Sequence, residues 1–163
     1  MANYRIWAPW RLEYVKDADK DNEDECIFCV KPAADDDEAN LIVHRVERCF
    51  VILNLFPYTN GHLMVAPYEH VGALQDLDAD TVAEIMALAQ KAMRRLEQVY
   101  SPQGYNVGFN QGRIAGAGFE NHIHMHVVPR WGGDTNFMPV LADTRVMPQT
   151  PQQSYEALRG KFD

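Results

Sequence analysis

Residues His122 to Val128 read His-Ile-His-Met-His-Val-Val, and this strict alternation of imidazole and apolar side chains reads as a β-strand. In a strand, successive side chains point to opposite faces. His122, His124 and His126 then share one face, while Ile123, Met125 and Val127 share the other. The apolar face has to bury against a second layer. The histidine face has to look into a polar pocket or crevice, because three imidazoles in a dry core would each need a partner. Pro129 is expected to end the strand.

The rest of the chain supplies that second layer. Between Asp80 and Tyr100, residues Val82, Ile85, Met86, Ala89, Ala92, Met93, Leu96 and Val99 recur every three to four positions. That spacing predicts one long amphipathic helix with an apolar stripe. Asp78 or Asp80 can cap its start, and Pro102 with Gly104 stops it. Leu41 to His44, Cys49 to Asn54, His62 to Pro67 and Tyr105 to Gln111 read as further strands. Asn60-Gly61 is a turn signal that makes the middle two an antiparallel pair joined by a long loop. A short helix is expected at Ser154 to Phe162. Strands, one long helix and more strands point to an α+β fold built on an antiparallel sheet. A chain of 163 residues fits one domain. Residues 1–40 are read as an irregular segment containing a cysteine knuckle, and residues 131–163 as a C-terminal tail that carries the short helix.

Charge and cysteine content narrow the function. A formal net charge of −8 weighs against binding nucleic acid through its backbone, which requires a basic face. The acidic runs Asp17 to Glu25 and Asp35 to Glu38 read as solvated loop. No apolar run approaches the roughly 20 residues of a membrane span, and the N-terminus has no secretory apolar core. Three cysteines, two of them three positions apart, are not a disulfide framework, so a reduced compartment, the cytoplasm, is expected.

The histidine strand carries the chemistry. Three histidines on one straight strand cannot easily close on a single metal, since the outer two are roughly 13 Å apart at about 3.3 Å per residue. Such a row suits an extended substrate such as a phosphate chain. A neutral imidazole can attack phosphorus while its neighbour handles protons near pH 7. The loop Gly112-Arg113-Ile114-Ala115-Gly116-Ala117-Gly118 precedes the strand and offers backbone N–H groups to phosphate oxygens. Cys26-Ile27-Phe28-Cys29 has half of a zinc site's ligands; a redox pair and two unligated thiols are the alternatives. Cys49, beside Phe50 and Val51, reads as core. Trp7, Trp10 and Trp131 suit either stacking on a base or packing, Arg130 suits a surface or interface position more than the neutralising of phosphate, and the lone His44 is given no role.

His122-Ile123-His124-Met125-His126-Val127-Val128-Pro129-Arg130 resembles the motif of the histidine triad (HIT) family of nucleotide hydrolases and transferases. Asn54-Leu55-Phe56-Pro57-Tyr58-Thr59-Asn60-Gly61-His62-Leu63-Met64-Val65 is similar to that family's first-half segment. The Trp-Ala-Pro-Trp-Arg opening and Arg130-Trp131-Gly132-Gly133-Asp134-Thr135-Asn136-Phe137 look like bacterial members, some of them diadenosine tetraphosphate phosphorylases.

The resemblance implies an antiparallel sheet with a few helices, extended across a homodimer, and a small-molecule nucleotide as partner. It implies His124 as the nucleophile, His126 at the leaving group and His62 in support. Asn54 would bind the ribose, Gln111 would lie near the phosphates, and Gly118 would offer its backbone there. Residues before Asn54 and near the N-terminus would enclose the base. It also implies a structural zinc held by Cys26, Cys29, His70 and His122. Many relatives carry Gln, Ser or Thr just before the triad. Here Ala115-Gly116-Ala117-Gly118-Phe119 leaves the α-phosphate to backbone N–H groups, so P–O and P–N substrates both stay open. The leading expectation is a dinucleoside polyphosphate, with a phosphoramidase or a non-catalytic nucleotide-binding module as rivals.

Overall fold

The computed structural model describes residues 26–134 and 147–162. Trp7, Trp10, the opening motif and Thr135 to Phe137 lie outside the described residues. Five strands form one antiparallel sheet: β1 (Ile42–Arg45), β2 (Cys49–Leu53), β3 (Leu63–Pro67), β4 (Gly104–Phe109) and β5 (Met125–Arg130), in the order β1-β2-β3-β5-β4. The α+β class and the β2–β3 pair across Asn60-Gly61 are as expected. Gly61 has φ +74°, and a side chain there would meet Leu96 and Tyr100 at 2.9 Å, so the turn both bends left-handed and tucks under a helix.

Four α-helices lie among the described residues: α1 (Ile27–Ala33), α2 (Asp37–Asn40), α3 (Ala79–Tyr100) and α4 (Pro151–Leu158). Residues 26–40, read as irregular from sequence, thus hold two short helices; seven- and four-residue helices are too short to show a periodic stripe. Helix α3 starts at Asp78, whose carboxylate accepts from the Thr81 N–H at 2.7 Å, and ends at Ser101 in a left-handed conformation. It buries Ile85, Leu88, Ala89, Ala92 and Leu96, whereas Met86 is 47% exposed. Met86, assigned to the stripe from sequence, lies on the solvent side, and Leu88 takes its place. At the start of helix α4, Thr150 and Gln153 cap each other reciprocally and Pro151 occupies the first turn. No helix among the described residues is long and apolar enough to cross a membrane.

Both faces of the sheet are covered. Leu53, Val51, Leu63, Val65, Met125 and Val127 pack with α3 on one face, together with Cys49 and Ile123. Ile42, Phe50, Ile52, Met64 and Ala66 pack with Phe28 of α1 on the other. His126 is the register partner of Met64 and Gly108, so the histidines share the face opposite α3.

Strand β5 begins later and ends later than its composition suggests. His122 to His124 precede it, because Ile123 N–H is drawn to the Val71 carbonyl at 2.6 Å instead of to a sheet neighbour. The alternation survives, with Ile123 in the α3 core and His122 and His124 beside Phe28. Pro129 does not stop the strand. Pairing with β3 ends at Val127, and the Pro129 carbonyl accepts from Thr59 on that side at 2.8 Å. The nitrogen without a proton therefore faces away from β4, and no ladder bond is lost.

Candidate functional site

Two histidines are bonded to each other with a third ring beside them, and the protons of all three can be placed by their partners. The ring Nδ1 of His62 receives the backbone N–H of Tyr58 at 3.1 Å. It is therefore an acceptor, and the neutral ring carries its proton on Nε2. That proton points at Nδ1 of His126, 2.9 Å away. His126 consequently accepts at Nδ1 and holds its own proton on Nε2. In His124, Nδ1 lies 2.9 Å from the His122 carbonyl oxygen, which can only accept, so the lone pair of His124 sits on Nε2. The site thus offers one unprotonated imidazole nitrogen beside one imidazole N–H, with ring centroids 4.9 Å apart.

Burial keeps these rings neutral. His62 is fully buried and His124 nearly so. Burial, then the neighbouring His126 and His124, push His62 down to about 3. Burial and His124 push His126 down to about 4, and burial lowers His124 as well. A neutral imidazole is the form that can attack an electrophile.

Asn54 contacts His62, whereas the side chain of Gln111 is engaged elsewhere. Asn54 Oδ1 accepts the Phe56 N–H at 2.9 Å, and its amide nitrogen lies 3.4 Å from His62 Nδ1. These contacts fix the turn and the His62 ring. Gln111 accepts from Leu74 N–H at 2.9 Å and donates to Gln75 at 3.1 Å, which ties it to the 3-10 turn Leu74–Asp76. Asn110, one residue earlier, lines the cavity beside His126 instead. Gly118 is exposed in the loop before Phe119, whose ring meets Phe28 edge-on at 5.8 Å. Trp131 packs edge-on against Tyr100 at 6.5 Å.

Sequence reasoning missed Phe28. It lies between the two knuckle cysteines, is fully buried, and stacks on His124 with centroids 4.5 Å apart and planes at 26°. An aromatic between two cysteines carries no signal of which ring it will meet 96 residues later.

The knuckle itself meets the expected histidines. The ligand atoms of Cys26, Cys29, His70 and His122 all lie within 4.8 Å of one another. Cys26 Sγ and Cys29 Sγ are 3.3 and 3.6 Å from His122 Nδ1, and Cys29 Sγ is 3.3 Å from His70 Nδ1. A tetrahedral zinc with bonds of about 2.0–2.3 Å has ligand–ligand edges of about 3.3–3.8 Å, so the donor set fits this metal in kind and spacing. His122 donates from Nε2 to the Pro67 carbonyl at 2.9 Å, which leaves Nδ1 as the free lone pair for a metal. Burial raises the Cys26 thiol to about 11, so ionising it at neutral pH needs a cation beside it.

Fold and site together define a class: small α+β proteins that present three neutral, mutually positioned imidazoles on the sheet face opposite a long helix. Residues 36–133 match the HIT domain, and the chain belongs to the HIT family. It is 42% identical over 150 residues to an AP-4-A phosphorylase of Mycobacterium tuberculosis, covering 89% of this chain and 77% of that protein. An adenosine 5'-monophosphoramidase of Schizosaccharomyces pombe is 32% identical over 105 residues, covering 64% of this chain and 74% of its own length. Among solved structures, a zinc-bound histidine triad family protein from Mycobacterium smegmatis superposes with a TM-score of 0.68 at 31% identity, over 85% of this chain and 93% of that one.

Proposed function

We propose that this protein is a nucleotidyl hydrolase or transferase that cleaves adenine dinucleoside polyphosphates at the α-phosphate through a nucleotidyl-histidine intermediate. The observation that carries the reading is the pair of adjacent rings with opposite proton placement. The lone pair on His124 Nε2 attacks the α-phosphorus, a P–N bond forms, and the bond from phosphorus to the bridging oxygen breaks. His126 gives its Nε2 proton to the departing oxygen, and His62 holds His126 in the tautomer that can do so. Water, or inorganic phosphate in a phosphorylase, then attacks the phosphorus and frees the nucleotide from His124. Asn54 serves the ribose as well as the His62 ring. Gly118 brings backbone N–H groups to the phosphates, a part in which Asn110 is better situated than Gln111. Similarity to an AP-4-A phosphorylase over most of the chain supports this substrate class.

A second reading is a phosphoramidase that breaks a P–N bond of a nucleoside phosphoramidate. Similarity to a monophosphoramidase favours it, and a proton on His126 serves an amine leaving group as well as an oxygen. In either case Cys26, Cys29, His70 and His122 hold a structural zinc, which supplies rigidity and not reactivity because all four positions are filled by protein. The working form is a cytoplasmic homodimer of one domain spanning residues 1–163.

The test is intact-protein mass after brief incubation with diadenosine tetraphosphate, quenched in alkali to preserve a phosphoramidate. One added adenylyl group, absent in His124→Ala, is expected. Turnover with no adduct, or an adduct retained in His124→Ala, overturns the reading.

A further inference from the structure

Beyond the histidines, the same sheet face carries a second set of donors that the reaction at His124 does not use. His126, Val128 and Arg130 alternate along β5 and all line one cavity of about 420 Å³, with Asn106, Asn110 and Thr59 beside them. Arg130 is four residues past His126, yet its guanidinium folds back along the strand. It donates to Asn106 Oδ1 at 2.5 Å, and Asn106 is the register partner of Val128. The cation therefore sits roughly midway along the row, about 7 Å from the level of His126 at about 3.3 Å per residue.

The Trp131-Gly132-Gly133-Asp134 turn holds it there. Asp134 accepts from Arg130 Nε at 2.6 Å, from Arg130 Nη2 at 2.9 Å and from the Trp131 N–H at 3.1 Å. Gly133, with φ +90°, lets the chain double back so that Asp134 reaches the residue four before it. This two-point grip fixes the plane of the guanidinium while its side chain remains 41% exposed. The same contact orients Asn106: its oxygen faces Arg130, so its NH2 group is left to donate toward the cavity.

From this geometry, and resting on the function proposed above, we infer that Arg130 and Asn106 form the subsite for the phosphates beyond the bond that breaks. The ligand is the leaving nucleoside polyphosphate. With His126 at the bridging oxygen, Asn106 and Arg130 continue the row on the side away from His124, where the leaving group of an in-line displacement lies. Asp134 is the carboxylate among the cavity's lining residues, and its two oxygens are both turned on Arg130. A single phosphate or an amine held at His126 does not span the distance to Arg130. The subsite therefore makes the enzyme a reader of chain length.

The test compares diadenosine di-, tri- and tetraphosphate, and adenosine 5′-phosphoramidate, as substrates of wild type, Arg130→Gln and Arg130→Lys. In Arg130→Gln the loss of kcat/KM should grow with chain length, to about 10–100-fold on the tetraphosphate, the range of a lost charged hydrogen bond. Arg130→Lys should recover part of the loss, because charge remains while the fork is lost. An equal loss on every substrate in both variants would mean Arg130 only braces the turn, and would overturn the inference. If Arg130→Gln does not fold, the Lys variant alone decides it by the same slope against chain length. A wild type that forms no His124 adduct defeats the catalytic reading instead. In that case the inference is judged by Kd for the same series in the His124→Ala background, where a chain-length dependence abolished by Arg130→Gln and partly kept by Arg130→Lys sustains it and a flat series overturns it.

Discussion

The Nδ1 proton of His124 is donated to the carbonyl oxygen of His122 at 2.9 Å, and the His122 ring faces the thiols of Cys26 and Cys29 at 3.3 and 3.6 Å. One residue thus fixes the reactive tautomer with its backbone and anchors the cysteine knuckle with its side chain. Anything that loosens the knuckle is transmitted to the proposed nucleophile through two covalent links and the shared contact with Phe28.

Metal removal should therefore cost both stability and turnover. Cys29→Ser is expected to reduce zinc from one per chain to well below one, read by elemental analysis. The melting temperature should fall by roughly 10 °C or more, the scale of several kcal/mol lost from a chain of this length. A variant that keeps wild-type melting and zinc content would show that the four donors do not form a metal site.

Proton donation by His126 makes a prediction that depends on the leaving group. His126→Ala should lower kcat by about 10²–10⁴ with a nucleoside phosphoramidate or a dinucleoside polyphosphate, the range of general acid catalysis. With a nitrophenyl ester of AMP, whose leaving group departs as a stable anion, the loss should be at least tenfold smaller. Equal losses on all three substrates would place His126 in binding rather than proton transfer.

Folding stability should fall with acid well before the carboxylates are reached. His62 and His126 are held at about 3 and about 4 in the folded protein, whereas an unfolded histidine titrates near 6.5. Between those values the unfolded chain binds more protons than the folded one, so stability rises with pH. It is fully present above about pH 6.5 and is lost as pH falls toward 4. Urea unfolding at intervals from pH 7.5 to 4.5 should show a slope of about two protons from His62 and His126, with a further contribution from His124, which burial also lowers. A flat profile through this window would show that these rings are not buried neutral.

What the sequence makes legible depends on whether neighbours in sequence are also neighbours in space. The alternation at Ile123, Met125 and Val127 is readable because a strand face is a local pattern, and all three reach the α3 core. The donors at Cys26, Cys29, His70 and His122 come together as the resemblance implies. Gln111 does not reach the triad, because its side chain is captured by Leu74 and Gln75, 37 and 36 residues away. Arg130 reads from sequence as a surface or interface residue sooner than a phosphate ligand, because its place in the cavity depends on Asp134 folding back onto it. Met86 and Leu88 exchange roles for a related reason. A helical stripe defines an arc, and only the packed sheet decides which edge of that arc is covered.

Phe28 supplies the sharpest separation between packing and chemistry. It is 1% exposed and touches Phe119 and His122 as well as stacking on His124. Phe28→Ala should cost about 3–5 kcal/mol, as other large-to-small core changes do, and the cavity would let the His124 ring rotate. Phe28→Leu keeps most of the volume and should cost less, about 1–2 kcal/mol. It nonetheless removes the flat surface that orients the nucleophile. The Leu variant is therefore expected to stay folded and zinc-loaded, with kcat roughly tenfold lower, KM little changed, and the His124 ring resonances shifted. Turnover and ring resonances unchanged in Phe28→Leu would assign the stacked aromatic to stability alone.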